Sequence, residues 1–261
     1  MKIAFSKYHG TGNDFILIDD RKNELNLSVE QVAFICNRHF GIGGDGLIRI
    51  TSSDSADFEM VYYNSDGRPG SMCGNGGRCA VTFAHALGMI GKSASFLAFD
   101  GMHEAEVISS NPYIIKLRMN DVSGIKLSSD FTLLDTGSPH YVTFVSELES
   151  FDVVGKGRAV RYSEPFRTNG VNVNFVKPEN GGIAVRTYER GVEDETLSCG
   201  TGVTASVLSA ILAGKVPADK VCSVMTPGGD LKVHSRKTHE GFTDIYLEGP
   251  AAFVFKGEIT L

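Results

Sequence analysis

Apolar and polar residues alternate with a period of two over residues 2–8, 14–19, 57–63, 94–99 and 112–118, and again over 140–145, 171–176, 183–189, 221–226 and 242–248. That rhythm predicts strands with one face on a core. Two stretches depart from it. Val203–Ala213 contains no charged residue, and Cys79–Leu87 carries only His85. A helix that is apolar on every face lies inside a large core or spans a membrane, and these are far too short to span one. The pattern therefore predicts curved sheets wrapped around a central helix, with Gly88 and Gly214 capping the helix C-termini. An accessory helix is predicted near 29–38, starting at Ser28, where Gln31 three positions on completes a capping-box signature.

The two series of strands are one series read twice. Cys73-Gly-Asn-Gly-Gly-Arg-Cys opens the first central helix and Cys199-Gly-Thr-Gly-Val-Thr-Ala opens the second, so that Cys73, Gly76 and Gly88 match Cys199, Gly202 and Gly214 at an offset of 126 residues. Upstream, Thr11-Gly12 matches Thr136-Gly137, and the run ending in Tyr63-Asn64 matches the run ending in Tyr188-Glu189, both at 125. Landmarks in the same order at nearly the same offset imply a duplicated unit. The expected fold class is α+β, with two pseudo-symmetric domains, each a curved, mainly antiparallel sheet around a central helix. The halves are placed at 1–120 and 130–255, joined by the polar stretch around Asp121-Val-Ser-Gly, with 256–261 left as a tail.

Composition narrows what such a protein does. A net charge of −6 over 261 residues, with no run of Lys or Arg, argues against nucleic-acid binding. No apolar stretch approaches the length of a membrane span, and the first residues turn polar too early for a signal peptide. A cytoplasmic protein is expected. Five cysteines, an odd number without Cys-x-x-Cys spacing, point to free thiols and against a structural zinc. No metal and no cofactor are expected. Cys36, Cys79 and Cys222 are read as small buried hydrophobes, the ordinary state of a free cysteine.

Cys73 and Cys199 differ from these because each stands at a glycine-flanked helix start. The first turn of a helix presents unpaired N–H groups and the positive end of the dipole, which attract a carboxylate. The same field stabilises a thiolate, drawing its pKa from about 8.5 toward neutrality. Two equivalent domains facing each other would set the two thiols on opposite sides of one cleft. Inverting an α-carbon without a cofactor needs that arrangement: one thiolate removes the proton while the opposite thiol delivers another. The pair would titrate as a coupled unit. The rival for two such thiols is a redox pair.

Taken together, Gly10-Thr-Gly-Asn-Asp-Phe, Asn64-Ser-Asp-Gly, Met72-Cys-Gly-Asn-Gly-Gly-Arg-Cys, Gly137-Ser-Pro-His-Tyr-Val, Asn172-Val-Asn-Phe and Glu189-Arg-Gly-Val-Glu-Asp-Glu-Thr-Leu-Ser-Cys-Gly-Thr-Gly resemble the diaminopimelate epimerase family over essentially the whole chain. The resemblance implies interconversion of LL- and meso-diaminopimelate without pyridoxal phosphate or metal, in lysine and peptidoglycan precursor synthesis. It implies Cys73 and Cys199 as the acid/base residues. Gly74, Asn75, Gly200 and Thr201 would hold the reacting carboxylate. Asn13, Asn64, Asn172 and Arg190 would bind the remaining polar groups, Glu189 the ammonium, and His140 and Glu189 would tune the thiols. The partner is then a small amino acid, and a homodimer is compatible with the sequence.

On residue type alone these assignments have ordinary alternatives. Asn13 and Asn64 sit in turns where Asn is common, Glu189-Arg190 reads equally as a surface charge pair, and His140 as a half-exposed histidine. Asn172 within a strand is harder to explain, since Asn is depleted there. Ser138 and Gly46 depart from the family pattern, where many members have Asn and Gln. One residue also stands inserted between Arg190 and Cys199. Proline racemase or hydroxyproline epimerase-like isomerases are the first rival, and Asn75 in place of histidine argues against them. A nucleotide-binding protein is the rival from another class; Gly91-Lys-Ser tempts, but the glycine a phosphate loop requires is Ala86.

Overall fold

A computed structural model describes every residue except Ser71 and Asn180. The chain divides into two compact units, one made of Met1–Leu117 with Gly249–Leu261 and the other of Arg118–Glu248.

The first unit runs β1 (Lys2–Gly10), β2 (Asn13–Asp19), α1 (Val29–Cys36), β3 (Gly46–Thr51), β4 (Phe58–Asn64), α2 (Gly74–Ala86), β5 (Ser93–Ala98), β6 (Gly101–Ser110) and β7 (Tyr113–Arg118). Strand pairs are antiparallel except β2–β3 and β4–β5. Those two parallel joins are where a helix intervenes, because a parallel neighbour needs a crossover and an antiparallel one needs only a turn. The predicted capping box at Ser28 is present: Gln31 N donates to Ser28 Oγ and Ser28 N to Gln31 Oε1.

The second unit runs β8 (Val122–Ser123), β9 (Lys126–Leu127), β10 (Thr132–Asp135), β11 (Pro139–Phe144), α3 (Val153–Arg161), β12 (Asn172–Glu179), β13 (Gly182–Glu189), β14 (Asp194–Thr196), α4 (Gly200–Leu212), β15 (Cys222–Thr226), β16 (Gly229–Lys237) and β17 (Gly241–Pro250). Here β11–β12 and β13–β15 are the parallel joins, again with helices between. The duplication holds at the level of register. Phe15 pairs with Gly46, and Ile48 with Tyr62; His140 pairs with Asn172, and Asn174 with Thr187. The chain ends in β18 (Ala252–Thr260), which pairs antiparallel along β1. The expected second half ran to 255; the compact unit ends at Glu248, because this last strand finds its partner in β1.

The central helices are as apolar in their surroundings as in their sequence. Every residue from Gly74 to Ala84 is buried, as are Gly200 and Gly202–Ile211. Both helices end the same way, with Gly88 at φ +70° and Gly214 at φ +67°. In each, the glycine N–H returns to the carbonyl three residues back and the next N–H reaches one residue further back: Gly88 to His85 and Met89 to Ala84, Gly214 to Ile211 and Lys215 to Ala210. A left-handed glycine closes the helix at little strain in both places.

Several elements have no counterpart among the predicted ones, and for β3, α3, β6 and β16 the reason is local. All of β3 is buried, so it shows no alternation. Gly155 and Gly157 lower the helical propensity of α3, which Asp152 caps through Gly155 N. On β6 and β16 the inward positions include His103 and Ala105, or are diluted by charged neighbours. As expected, α2 begins directly after Cys73, and so it takes in Arg78 near its start, fully buried.

Candidate active site

Both sulfurs sit at the N-cap of a central helix. Cys73 precedes α2 with φ −108° and ψ 129°, and Cys199 precedes α4 with φ −115° and ψ 110°. Each cysteine carbonyl accepts the first helical bond, from Gly77 N at 2.7 Å and from Val203 N at 2.8 Å. Neither sulfur caps its own helix. Neither cysteine side chain therefore claims the first-turn N–H groups at the positive end of the dipole, a setting for a carboxylate beside a thiol.

Around Cys73 the neighbours form one tether. The half-buried Cys73 thiol lies 3.6 Å from Asn13 Oδ1, which also accepts from Asn75 Nδ2 at 3.3 Å. Asn13 Nδ2 donates to Asp45 Oδ2 at 2.6 Å, so the amide is fixed with its oxygen toward the sulfur. Arg38 holds Asp45 at 2.8 Å and grips Asp14 through two further bonds. Lys7 joins Asp14 at 2.7 Å and donates to the Gly43 carbonyl. Burial pushes the Asp14 carboxyl up, but Arg38 and Lys7 outweigh it and hold the group well below the usual carboxylate range.

Beneath the same turn lies Arg78. It donates to Gly74 O at 3.2 Å, Asn75 Oδ1 at 2.9 Å, Thr11 Oγ1 at 3.3 Å and Pro250 O at 3.3 Å. Burial pulls the guanidinium down to about 10, which leaves it charged at neutral pH. It pins the first turn of α2 to the β1–β2 turn and adds positive charge beside Cys73.

The second unit surrounds its thiol with other groups. Cys199 Sγ lies 3.5 Å from Thr201 Oγ1, and Thr136 Oγ1 fastens the turn through Thr201 O at 2.9 Å. Asn172 Nδ2 donates to Ser138 Oγ at 2.9 Å, and Asn172 Oδ1 accepts from Arg190 N at 2.8 Å. The Arg190 guanidinium reaches Ser138 Oγ at 3.4 Å and Asn169 O at 2.9 Å, while Glu189 accepts from Thr196 Oγ1 at 3.0 Å. His140 is buried, at 1% exposure, and burial together with Arg190 lowers its pKa to about 3. It is a neutral imidazole at any ordinary pH.

The sequence-derived candidates thus gather in two groups, one in each unit. Asn13, Cys73, Gly74 and Asn75 meet at the start of α2. Asn172, Glu189 and Arg190 meet with Ser138 at adjacent ends of β12 and β13, and Gly200 and Thr201 form the turn after Cys199. Asn64 ends β4 opposite Gly46 and is exposed. Glu189 and Arg190 are half-buried and tied to their neighbours, which removes the surface-pair reading. His140 is no half-exposed histidine. Cys36, Cys79 and Cys222 are buried, and desolvation pushes their thiols up to about 11, 12 and 11, which makes them unreactive at neutral pH.

The two departures from the family pattern have local explanations. A Cβ at Gly46 would meet the Tyr62 ring at 2.5 Å, so that ring fills the place of a side chain at 46. Ser138 is engaged by both Asn172 and Arg190. Three residues of consequence were not singled out from sequence: Asp45, Arg78 and Asn174. Asp45 was hidden in a glycine-rich loop and Asn174 in a strand motif. Arg78 had a signal, a lone charge where an otherwise apolar helix begins.

The family model described as diaminopimelate epimerase matches residues 5–123 and 132–254. The diaminopimelate epimerase of Flavobacterium psychrophilum is 45% identical over 258 residues, which span 97% of this chain and 98% of that one. This chain belongs to the diaminopimelate epimerase family. Solved structures extend the fold beyond it. A phenazine biosynthesis protein of the PhzF family from Bacillus anthracis superimposes with a TM-score of 0.78 at 16% identity, each chain fully covered. A probable proline racemase from Agrobacterium radiobacter does so with 0.69 at 14%, over 99% of this chain and 93% of that one. The family fold is the expected α+β arrangement. Among the described residues no group of three or more His, Cys, Asp or Glu side chains is arranged to hold a metal ion, and no helix is long and apolar enough to cross a membrane.

Proposed function

We propose that this protein epimerises LL-2,6-diaminopimelate to meso-diaminopimelate by two-base proton transfer, with Cys73 and Cys199 as the bases. The observation that carries this reading is the thiol placed twice at the N-cap of a buried helix, in a chain of this family. Each such helix start offers a sulfur and a carboxylate-binding turn side by side.

The chemistry requires both thiols to reach one α-carbon, from opposite faces. One sulfur, as thiolate, takes the α-proton; the C–H pair stays on carbon and spreads into the carboxylate. The other sulfur gives its proton to the opposite face and becomes the thiolate. Protons balance, nothing is oxidised, and neither pyridoxal phosphate nor a metal is called for. First-turn donors at Gly74, Asn75, Gly200 and Thr201 stabilise the charge arriving on the carboxylate, where each donor contributes about 3 kcal/mol in comparable sites. Asn13, Asn64, Asn172 and Arg190 bind the remaining carboxylate and ammonium groups, and Glu189 accepts from an ammonium. His140 and Glu189 tune the thiols. The enzyme acts in the cytoplasm, on a precursor of lysine and peptidoglycan.

Amides suit this substrate. Diaminopimelate carries two ammonium and two carboxylate groups, so the site needs many donors and acceptors but little net charge. Arg190 supplies the bidentate grip on a carboxylate.

Incubation with LL-diaminopimelate in heavy water tests the proposal. The expected product is the meso isomer with deuterium at the inverted carbon. A product that keeps the original proton, or faster turnover of proline, overturns it.

A further inference from the structure

Three polar residues stand side by side under the first turn of α4. His140 on β11, Asn174 on β12 and Thr187 on β13 occupy one face of adjacent strands. A Cβ on Gly202 would collide with Asn174 Oδ1 and would lie 3.3 Å from Cys199 Cβ, so this cluster underlies the Cys199 turn itself. All three side chains are buried.

Their hydrogen bonds have only one consistent direction. The Tyr141 carbonyl, which can only accept, lies 3.1 Å from one terminal atom of the Asn174 amide. That atom must be Nδ2, leaving Oδ1 to accept from Thr187 Oγ1 at 2.9 Å. The second Nδ2 hydrogen then points at His140 Nδ1, 3.1 Å away. A protonated Nδ1 would set two donors against each other, so Nδ1 carries a lone pair and the ring proton sits on Nε2. That Nε2 is buried with no hydrogen-bond partner among the described residues.

The first unit supplies an internal control. By register, the residues equivalent to His140, Asn174 and Thr187 are Phe15, Ile48 and Tyr62, and Ile48 and Phe15 pack against Gly76, the counterpart of Gly202. Apolar side chains and one ring edge therefore suffice to seat a central helix on this face. Burying polar groups there costs free energy unless they are paired, and one is left unpaired. Packing does not account for it.

We propose that Asn174 is a positioning residue that holds His140 as the neutral, Nε2-protonated imidazole, making His140 a hydrogen-bond donor to negative charge formed at the Cys199 end of the site. The inference rests on the two-thiol reading. It gives that reading a definite role for His140: the ring cannot take the proton of either thiol, because Nδ1 is occupied by a donor and Nε2 already carries hydrogen. Donation from a fixed, neutral N–H stabilises a thiolate or carboxylate without competing for the proton in transfer.

The ring can be read directly, without substrate. In the full chain labelled with ¹⁵N-histidine, His140 is expected to show the Nε2–H neutral tautomer unchanged from pH 5 to 9. An Nδ1–H tautomer, or titration within that range, overturns the proposal even if the enzyme epimerises diaminopimelate. The tautomer can hold while diaminopimelate fails as substrate, and that result sinks the functional reading alone. Asn174→Asp replaces the donor with an acceptor and should move the proton to Nδ1, lowering kcat at least about tenfold and shifting its pH profile. Asn174→Ile copies the packing of the first unit and should lose activity while keeping the fold. Wild-type kcat in a folded Asn174→Ile protein would reduce Asn174 to packing.

Discussion

The first turns of α2 and α4 are one backbone built twice, and they hold their sulfurs among opposite kinds of neighbour. Cys73 and Cys199 share the N-cap position, the extended dihedrals and the first helical bond. Around Cys73 the structure is ionic: Asn13 is tied to Asp45, Asp45 to Arg38, and a buried guanidinium, Arg78, stands beneath the turn. Around Cys199 the hydrogen-bonding groups are hydroxyls, an amide and an imidazole, Thr201, Thr136 and the Thr187–Asn174–His140 row, with the Arg190 charge acting on His140. At the position of Arg78 the second unit has Thr204, whose hydroxyl makes the same contact, to Gly200 O at 3.0 Å, that Arg78 makes to Gly74 O. Duplication preserved where the sulfur stands. It left free what the sulfur feels, because hydroxyls, amides and guanidinium groups can all satisfy one turn.

The strongest way to break this comparison is to remove the sulfurs. Cys73→Ala and Cys199→Ala should each lower epimerisation about 10³-fold or more, the scale of losing an acid/base group, with unfolding midpoints near wild type. Substantial activity in either variant would show that one half works without the other. A smaller effect separates the two supports. Arg78→Met leaves four oxygen acceptors without the guanidinium and part of a cavity buried, and should cost about 2–4 kcal/mol in urea unfolding. Thr204→Val removes one hydroxyl bond and should cost about 1 kcal/mol. Equal losses would mean that the two helix starts are held alike.

A different effect is on pH dependence. His140 has a pKa of about 3 in the folded chain against an ordinary 6.5. The unfolded state therefore binds the proton first, so the contribution of the neutral ring is complete above about 6.5 and is lost as pH falls toward 3. Comparing wild type with His140→Gln should show a steeper acid loss in wild type, by at most about 1.4 kcal/mol per pH unit in that window. Parallel curves would contradict the burial of a neutral ring.

Much of this is legible in the order of residues along the chain. The repeat gave the two cysteines, their helices and both capping glycines, since these depend on local dihedrals and on the period of apolar residues. What resisted reading has a common cause. β3 is buried on both faces and shows no alternation, α3 contains two glycines, and Asp45 is a lone acid in a loop until Arg38 and Asn13 fold against it. Arg78 looks like a surface charge until the helix around it is found to be buried on every side.

The sequence by itself determined the duplication, the placement of a thiol at the start of each central helix, and the family. Those features are carried by spacing along the chain and by backbone propensities, which act over a few residues. Only the tertiary structure decided what each side chain meets: the oxygen of Asn13 turned to Cys73, the guanidinium of Arg78 sunk beneath it, and the imidazole of His140 held with its proton on Nε2. These depend on which strands lie side by side and in what register. Hydrogen-bond direction, set by an acceptor such as the Tyr141 carbonyl, has no trace in the linear order of residues.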